Sequence, residues 1–197
     1  MLTRTFIAIE LGDAARAALV RTIAALAREL PGVRFVEPAS LHLTLAFLGD
    51  LDEAQLEQAT QATEAAARRA APFALTVAGL GSFGPPHAPR VIWAGVGGNL
   101  HALTETQRAL ADELAARGFA REERPFAPHL TLVRLKRPLD ADEQRRLAQR
   151  LAVPAPAGAP IAARELSVMK STPLPAGAVY SRLSAFSLGP SGGAAVE

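Results

Sequence analysis

The tetrapeptide His-Leu-Thr-Leu occurs twice in this 197-residue chain, as His42-Leu43-Thr44-Leu45 and His129-Leu130-Thr131-Leu132, and takes up two of its four histidines. Apolar residues at every second position are the pattern of a strand with one buried face and one open face. In such a strand the two leucines of a copy bury together, and its imidazole and hydroxyl stand together on the other side. A chain that does this twice is held to a β-containing fold in which two strands present the same pair of side chains. If the two strands line one cleft, two groups that titrate near neutral pH are flanked by two hydroxyl donors, an arrangement suited to acid-base work on a phosphate. One copy alone would be ordinary, because Thr favours strands and a strand histidine readily bonds a neighbouring backbone group. Packing does not require the same His-x-Thr pair twice.

Metal chemistry is not expected from these residues. Two histidines leave a zinc site short of ligands, the chain has no cysteine, and no acidic residue lies four positions from either motif histidine. His87 sits in the turn-rich Gly84-Pro85-Pro86-His87-Ala88-Pro89 and His101 in the first turn of a leucine-patterned helix, so both are expected at the surface. Arg134 ends the second motif strand and is a candidate for bidentate hydrogen bonding to phosphate. Phe47 follows the first motif, where it is either core or a platform for a base. Strict alternation puts both Arg134 and Phe47 on the leucine face, so each reaches the site only where its strand bends or ends.

Around the motifs the chain alternates between helical and extended patterns. Leu19, Ile23, Leu26 and Leu30 predict a helix behind a cap at Asp13, and Leu100, Leu103, Leu110 and Leu114 another ending at Gly118. An Ala-rich helix is expected from Asp52 to near Arg69, and a fourth from about Asp140 to Leu151, before the break Pro154-Ala155-Pro156-Ala157-Gly158. Strands are expected over 3–10, 33–37, 42–48, 73–80, 90–96, 129–135, 161–169 and 178–187. Each motif strand then has a helix before and after it, an order that suggests internal duplication although the halves share little else. Residues 191–197 read as a flexible tail, and 1–190 as one domain of two lobes.

The sequence pI of about 9.6 resembles that of a nucleic-acid binder, yet the net charge is only +2. Nineteen of the 21 basic residues are arginines, whose very high pKa drives the pI, so any basic patch must be local. The N-terminal stretch reads as a strand and not as a secretory signal, and no run reaches membrane-spanning length. With cysteine absent, the cytoplasm is the expected compartment.

Leu41-His42-Leu43-Thr44-Leu45-Ala46-Phe47-Leu48-Gly49 and Pro128-His129-Leu130-Thr131-Leu132-Val133-Arg134 resemble the paired His-x-Thr-x motifs of the 2H phosphoesterase superfamily. Within it the chain is most similar to the RNA 2′,3′-cyclic phosphodiesterases, also called LigT-like or ThpR proteins and once named 2′-5′ RNA ligases. Arg4-Thr5-Phe6-Ile7-Ala8-Ile9 looks like the family's opening strand and Pro89-Arg90-Val91-Ile92-Trp93-Ala94-Gly95-Val96 like its central one. The closing strands resemble Leu166-Ser167-Val168-Met169-Lys170-Ser171, Ala178-Val179-Tyr180 and Phe186-Ser187-Leu188, while the stretch from Thr172 to Gly177 is richer in proline than the family leads one to expect.

The resemblance implies an α+β fold of two pseudo-symmetric lobes, each an antiparallel sheet with outer helices, around a cleft lined by the motif strands. It implies hydrolysis of a terminal ribose 2′,3′-cyclic phosphate to a 2′-phosphomonoester without metal or other cofactor, with weak reversible 2′-5′ ligation in some members. His42 and His129 are then the catalytic pair, with His129 as base to water and His42 as acid to the 3′-oxygen. Thr44, Thr131 and Arg134 hold the phosphate oxygens, and Phe47 is a base platform. The implied partner is an RNA carrying the cyclic end, tRNA fragments among the candidates, acted on by a monomer. Two other readings use the same residues: a phosphodiesterase of a small cyclic nucleotide or of an ADP-ribose cyclic phosphate, and a non-catalytic RNA-end-binding module.

Overall fold

The computed structural model describes residues 2–153, 158–174 and 177–189. The expected tail and most of the Pro154-to-Gly158 break lie outside them. The strands are β1 (Thr3–Glu10), β2 (His42–Leu51), β3 (Phe73–Phe83), β4 (Val91–Gly98), β5 (His129–Arg134), β6 (Pro160–Ala163), β7 (Glu165–Leu174) and β8 (Gly177–Ser187). The helices are α1 (Asp13–Glu29), α2 (Glu53–Arg69), α3 (Leu100–Ala115) and α4 (Ala141–Ala152). No helix among the described residues is long and apolar enough to cross a membrane.

All eight strands join one antiparallel sheet in the order β6-β3-β4-β5-β2-β1-β7-β8. The two motif strands lie at its centre, each the inner edge of a four-stranded half, and among the named strands the halves pair where β2 meets β5. Chain order repeats across that seam: β1-α1-β2-α2 is followed by β4-α3-β5-α4, and each β-α-β unit joins strands that are direct neighbours in the sheet. The pseudo-symmetry expected from element order is therefore present, as two halves of one continuous sheet. The chain passes from β6 to β7 through the single residue Arg164, although five strands separate them in the sheet. Only a sheet curled back on itself permits that connection.

The leucine side of the sheet carries the core. Leu43, Leu45, Leu130 and Leu132 bury against Leu19, Leu26 and Leu30 of the α1 region, Leu103, Leu110 and Leu114 of α3, and Leu147 of α4. Each such side chain removed from water is worth about 1.5–3 kcal/mol. Four alanines of α2, Ala59, Ala62, Ala66 and Ala67, are fully buried, and their small size lets this helix lie close to its neighbours.

Asp52 and Asp140 cap α2 and α4 through reciprocal boxes with Gln55 and Glu143, and Asn99 caps α3. Gly118, just beyond α3, adopts φ 86°, the left-handed stop that its position predicted. Asp13 is not a cap: Gly12 occupies that position and Asp13 begins the helix, where its charge complements the helix dipole. The expected strand at 33–37 is reduced to one bridge, Phe35 to Val133, on the edge of β5 that pairs with β2 at Leu130. The expected strand 161–169 is two strands, broken at exposed Arg164 as the chain crosses from one edge of the sheet to the other half. The proline-rich stretch is where β7 gives way to β8, with Pro173 paired to Ala178.

Candidate active site

Leu43 pairs with Leu130, the same position of each motif, in antiparallel register. By that register His42 lies across from Thr131 and Thr44 across from His129. The leucines point into the core, so all four polar side chains share the opposite face. The two motifs are thus brought together as a His-Thr quartet about a local two-fold axis.

The imidazoles are held alike. Nδ1 of His42 donates to the Ser40 carbonyl oxygen at 2.7 Å, and Nδ1 of His129 donates to the Ala127 carbonyl oxygen at 2.7 Å. A carbonyl only accepts, so each Nδ1 carries its proton and each Nε2 is the atom free to take or give one. Aromatic rings fix both planes. His42 lies 4.7 Å from Phe6 and 5.0 Å, edge to face, from Tyr180. His129 lies 4.8 Å, edge to face, from Phe83 and 6.3 Å from Trp93. Trp93 in turn lies over its cross-strand partner Gly81, whose missing side chain makes the room: a Cβ there would fall 2.2 Å from the indole.

Both motif strands bulge at the fourth motif residue. Ala8 pairs with Thr44 but Ile7 with Ala46, passing over Leu45, while Trp93 pairs with Thr131 but Ile92 with Val133, passing over Leu132. A bulge lets two consecutive side chains bury and then resets the alternation. Leu132 and Val133 are accordingly both buried, and exposed Arg134 turns to the histidine face. Phe47, paired with Phe6, does the same on β2 and is 58% exposed, with the Arg4 guanidinium 4.8 Å above its ring. The core reading of Phe47 is thereby corrected.

Burial lowers the His42 pKa below the usual imidazole value. The Ser40 hydrogen bond opposes that shift, the positive charges of Arg134 and His129 reinforce it, and Glu10 opposes it. The electrostatic reach of Arg134 and His129 to His42 places all three in one field. Beside His42 a recess is walled by Glu10, Arg16, Ser40, Met169 and Tyr180. His87 and His101 are exposed and take no part in the site. No cluster of three or more His, Asp or Glu side chains able to hold a metal forms among the described residues. Sequence reasoning missed Phe6, Tyr180, Phe83, Trp93 and Glu10 as neighbours of the histidines. For Glu10 and Trp93 the only available signal was their place on strands of matching pattern.

The fold is similar to those of solved structures. TT0787 of Thermus thermophilus superposes with a TM-score of 0.76 at 33% identity, over 94% of this chain and 97% of that one. E. coli LigT complexed with 3′-AMP does so with a TM-score of 0.72 at 25% identity, over 95% and 99%. The 2′-5′ RNA ligase superfamily model matches residues 12–171, and the chain belongs to that family. Its curated relatives include the RNA 2′,3′-cyclic phosphodiesterases of Methanothermobacter thermautotrophicus and Thermotoga maritima. The first is 34% identical over 95% of this chain and 100% of its own length, and the second 32% over 90% and 91%. The relative of the same name from Geobacillus stearothermophilus is 40% identical over 66% of this chain, a match that spans 41% of its own length.

Proposed function

We propose that this protein hydrolyses the 2′,3′-cyclic phosphate at an RNA end to a 2′-phosphomonoester by two-histidine acid-base catalysis without a metal. The observation that carries the proposal is the pairing of Leu43 with Leu130, which sets two Nδ1-anchored imidazoles and two threonine hydroxyls on one face. The names of the relatives supply the substrate class.

In-line opening of the ring needs a base on the entering water and an acid on the departing ribose oxygen, on opposite sides of phosphorus. His129, the less enclosed imidazole, takes the water proton on Nε2. His42 gives its Nε2 proton to the 3′-oxygen. Burial disfavours the imidazolium at His42 in the free site, and the substrate's negative phosphate restores it on binding. Thr44, Thr131 and Arg134 hold the non-bridging oxygens as charge builds on them. With a 5′-hydroxyl in place of water, His129 takes its proton and His42 again protonates the departing 3′-oxygen, which gives 2′-5′ ligation, weakly; the roles exchange in the reverse reaction, cleavage of the 2′-5′ bond.

The test is turnover of an oligonucleotide ending in a 2′,3′-cyclic phosphate, in the presence of a chelator, with the product mapped. A 2′-phosphate end is expected. A 3′-phosphate product, loss of activity on chelation, or faster turnover of small cyclic nucleotides than of oligonucleotides would overturn the corresponding part of the proposal.

A further inference from the structure

The local two-fold axis makes the two histidines equivalent in their strands, their hydroxyl neighbours and their backbone anchors. It does not make them equivalent across the strand. His42 is paired with Glu10 on β1, whereas His129 is paired with Gly95 on β4. One histidine therefore has a carboxylate directly opposite, where cross-strand side chains approach to about 4.5–5.5 Å between Cβ atoms, and the other has no side chain at all. The carboxylate is held in place: Ser167 Oγ donates to Glu10 Oε1 at 2.7 Å, and the Arg182 guanidinium lies 3.4 Å from the same oxygen. Arg182 is shared with Glu165 at 3.6 Å, so it neutralises Glu10 only in part.

We propose that Glu10 is a positioning residue that keeps the proton on His42 and so separates the roles of two otherwise matched histidines. This rests on the two-histidine reading above. The groups that face His42 are Glu10 from β1, Arg134 and His129 from β5, Tyr180 from β8, and Arg16 from α1 across the recess. Arg16 is occupied by the carbonyl oxygens of Pro38 and Leu11. Against the Arg134 guanidinium of β5, Glu10 is the one anion in this set, and it acts on the imidazole that must arrive at the leaving oxygen protonated. His129, opposite Gly95, has no cross-strand carboxylate and remains free to serve as the neutral base.

The test is Glu10→Gln, which keeps the shape and an acceptor for Ser167 but removes the charge. NMR titration of the free protein should show the His42 pKa falling by roughly half a unit to one unit, with His129 moving less. The alkaline limb of the kcat/KM profile should move the same way, so that activity above it falls roughly 3- to 10-fold. Glu10→Asp should restore most of both. If the Gln variant does not fold, Arg182→Gln carries the test with the opposite sign, because freeing the carboxylate should raise the His42 pKa. An unchanged His42 pKa in a folded variant, or equal shifts at both histidines, overturns the proposal. The titration needs no substrate, so it is decided independently of whether cyclic-ended RNA is hydrolysed.

Discussion

Leu43 and Leu130 are direct antiparallel partners, and this one pair joins the two halves of the sheet in the register that faces His42 toward Thr131 and Thr44 toward His129. A slip by one residue would turn every polar side chain of one motif into the core. The buried leucines thus set the geometry of the site as well as its stability.

The first prediction follows from the quartet. His42→Ala and His129→Ala should each lower kcat for cyclic-phosphate hydrolysis by roughly 10²- to 10⁴-fold while leaving a 2′-phosphorylated end able to bind. The double variant should be little worse than either single one, since the two imidazoles act as a unit. Near-normal turnover by either single variant would remove the pair from the chemistry.

Arg134 gives the second prediction, with a sign. Its positive charge is among the influences that lower the His42 pKa, so Arg134→Gln should raise that value in an NMR titration of the free protein. If Arg134 holds the phosphate as proposed, the same substitution removes a charge-assisted donor worth about 1.5–3 kcal/mol, and kcat/KM should fall roughly 10- to 100-fold. Arg134→Lys should retain the effect on His42 and lose part of the rate, because an ammonium does not reproduce the bidentate fork. A His42 pKa that falls in Arg134→Gln would contradict the electrostatic reading.

Phe47 is the third case, and the structure decides half of it. At 58% exposed beneath Arg4, its truncation opens no cavity, so Phe47→Ala should melt close to the parent instead of losing the ~3–5 kcal/mol of a core phenylalanine. If the ring stacks on a terminal base, KM for cyclic-ended oligonucleotides should rise for every base, with kcat changed less. A stable variant with unchanged KM would remove Phe47 from substrate binding.

These residues also show how far the sequence could be read. The repeated His-Leu-Thr-Leu made the motif strands and the four polar groups opposite the core legible, because a period of two is a local property. The bulges at Leu45 and Leu132 were not legible: Leu-Ala-Phe and Leu-Val-Arg continue an ordinary apolar run, and only pairing with Ile7 and Ile92 shows that two consecutive side chains bury. The aromatic walls escaped for a similar reason. Phe6 and Tyr180 meet His42 through pairings of β1 with β2 and β7 with β8, contacts set by tertiary register and not by local spacing. The division at Arg164 was hidden because two short apolar stretches separated by one residue look like one strand until their partners are known.

Away from the site, Glu143 gives a prediction about acid stability. The bidentate hydrogen bonds from Arg137, then the backbone N–H of Asp140, lower its pKa to about 2. A carboxylate depressed in the folded state adds stability that is fully present above its unfolded value near ~4.3 and is lost as pH falls toward the folded one. Glu143→Gln should therefore lower Tm at neutral pH and flatten its decline between about pH 5 and pH 2. An unaltered acid limb would show that the ion pair contributes nothing to folding.

Gly81 and Trp93 carry the last prediction. The indole lies across Gly81, its Nε1 is buried without a partner among the described residues, and its ring stands 6.3 Å from His129 and 5.3 Å from Phe83. In Gly81→Ala the new methyl would overlap the six-membered ring, so the indole must leave its seat, at a cost of about 1–3 kcal/mol for overpacking. Moving it frees the His129 ring on one side, so kcat should fall by more than the stability loss explains while KM changes little. Trp93 is the single tryptophan of the chain, and its fluorescence reports this site alone. In the parent its emission should respond to a bound 2′-phosphorylated nucleotide; in Gly81→Ala it should shift toward that of a solvent-exposed indole and lose that response. Parent-like emission and kcat in that variant would show that the glycine seat is not what holds Trp93 against the His129 imidazole.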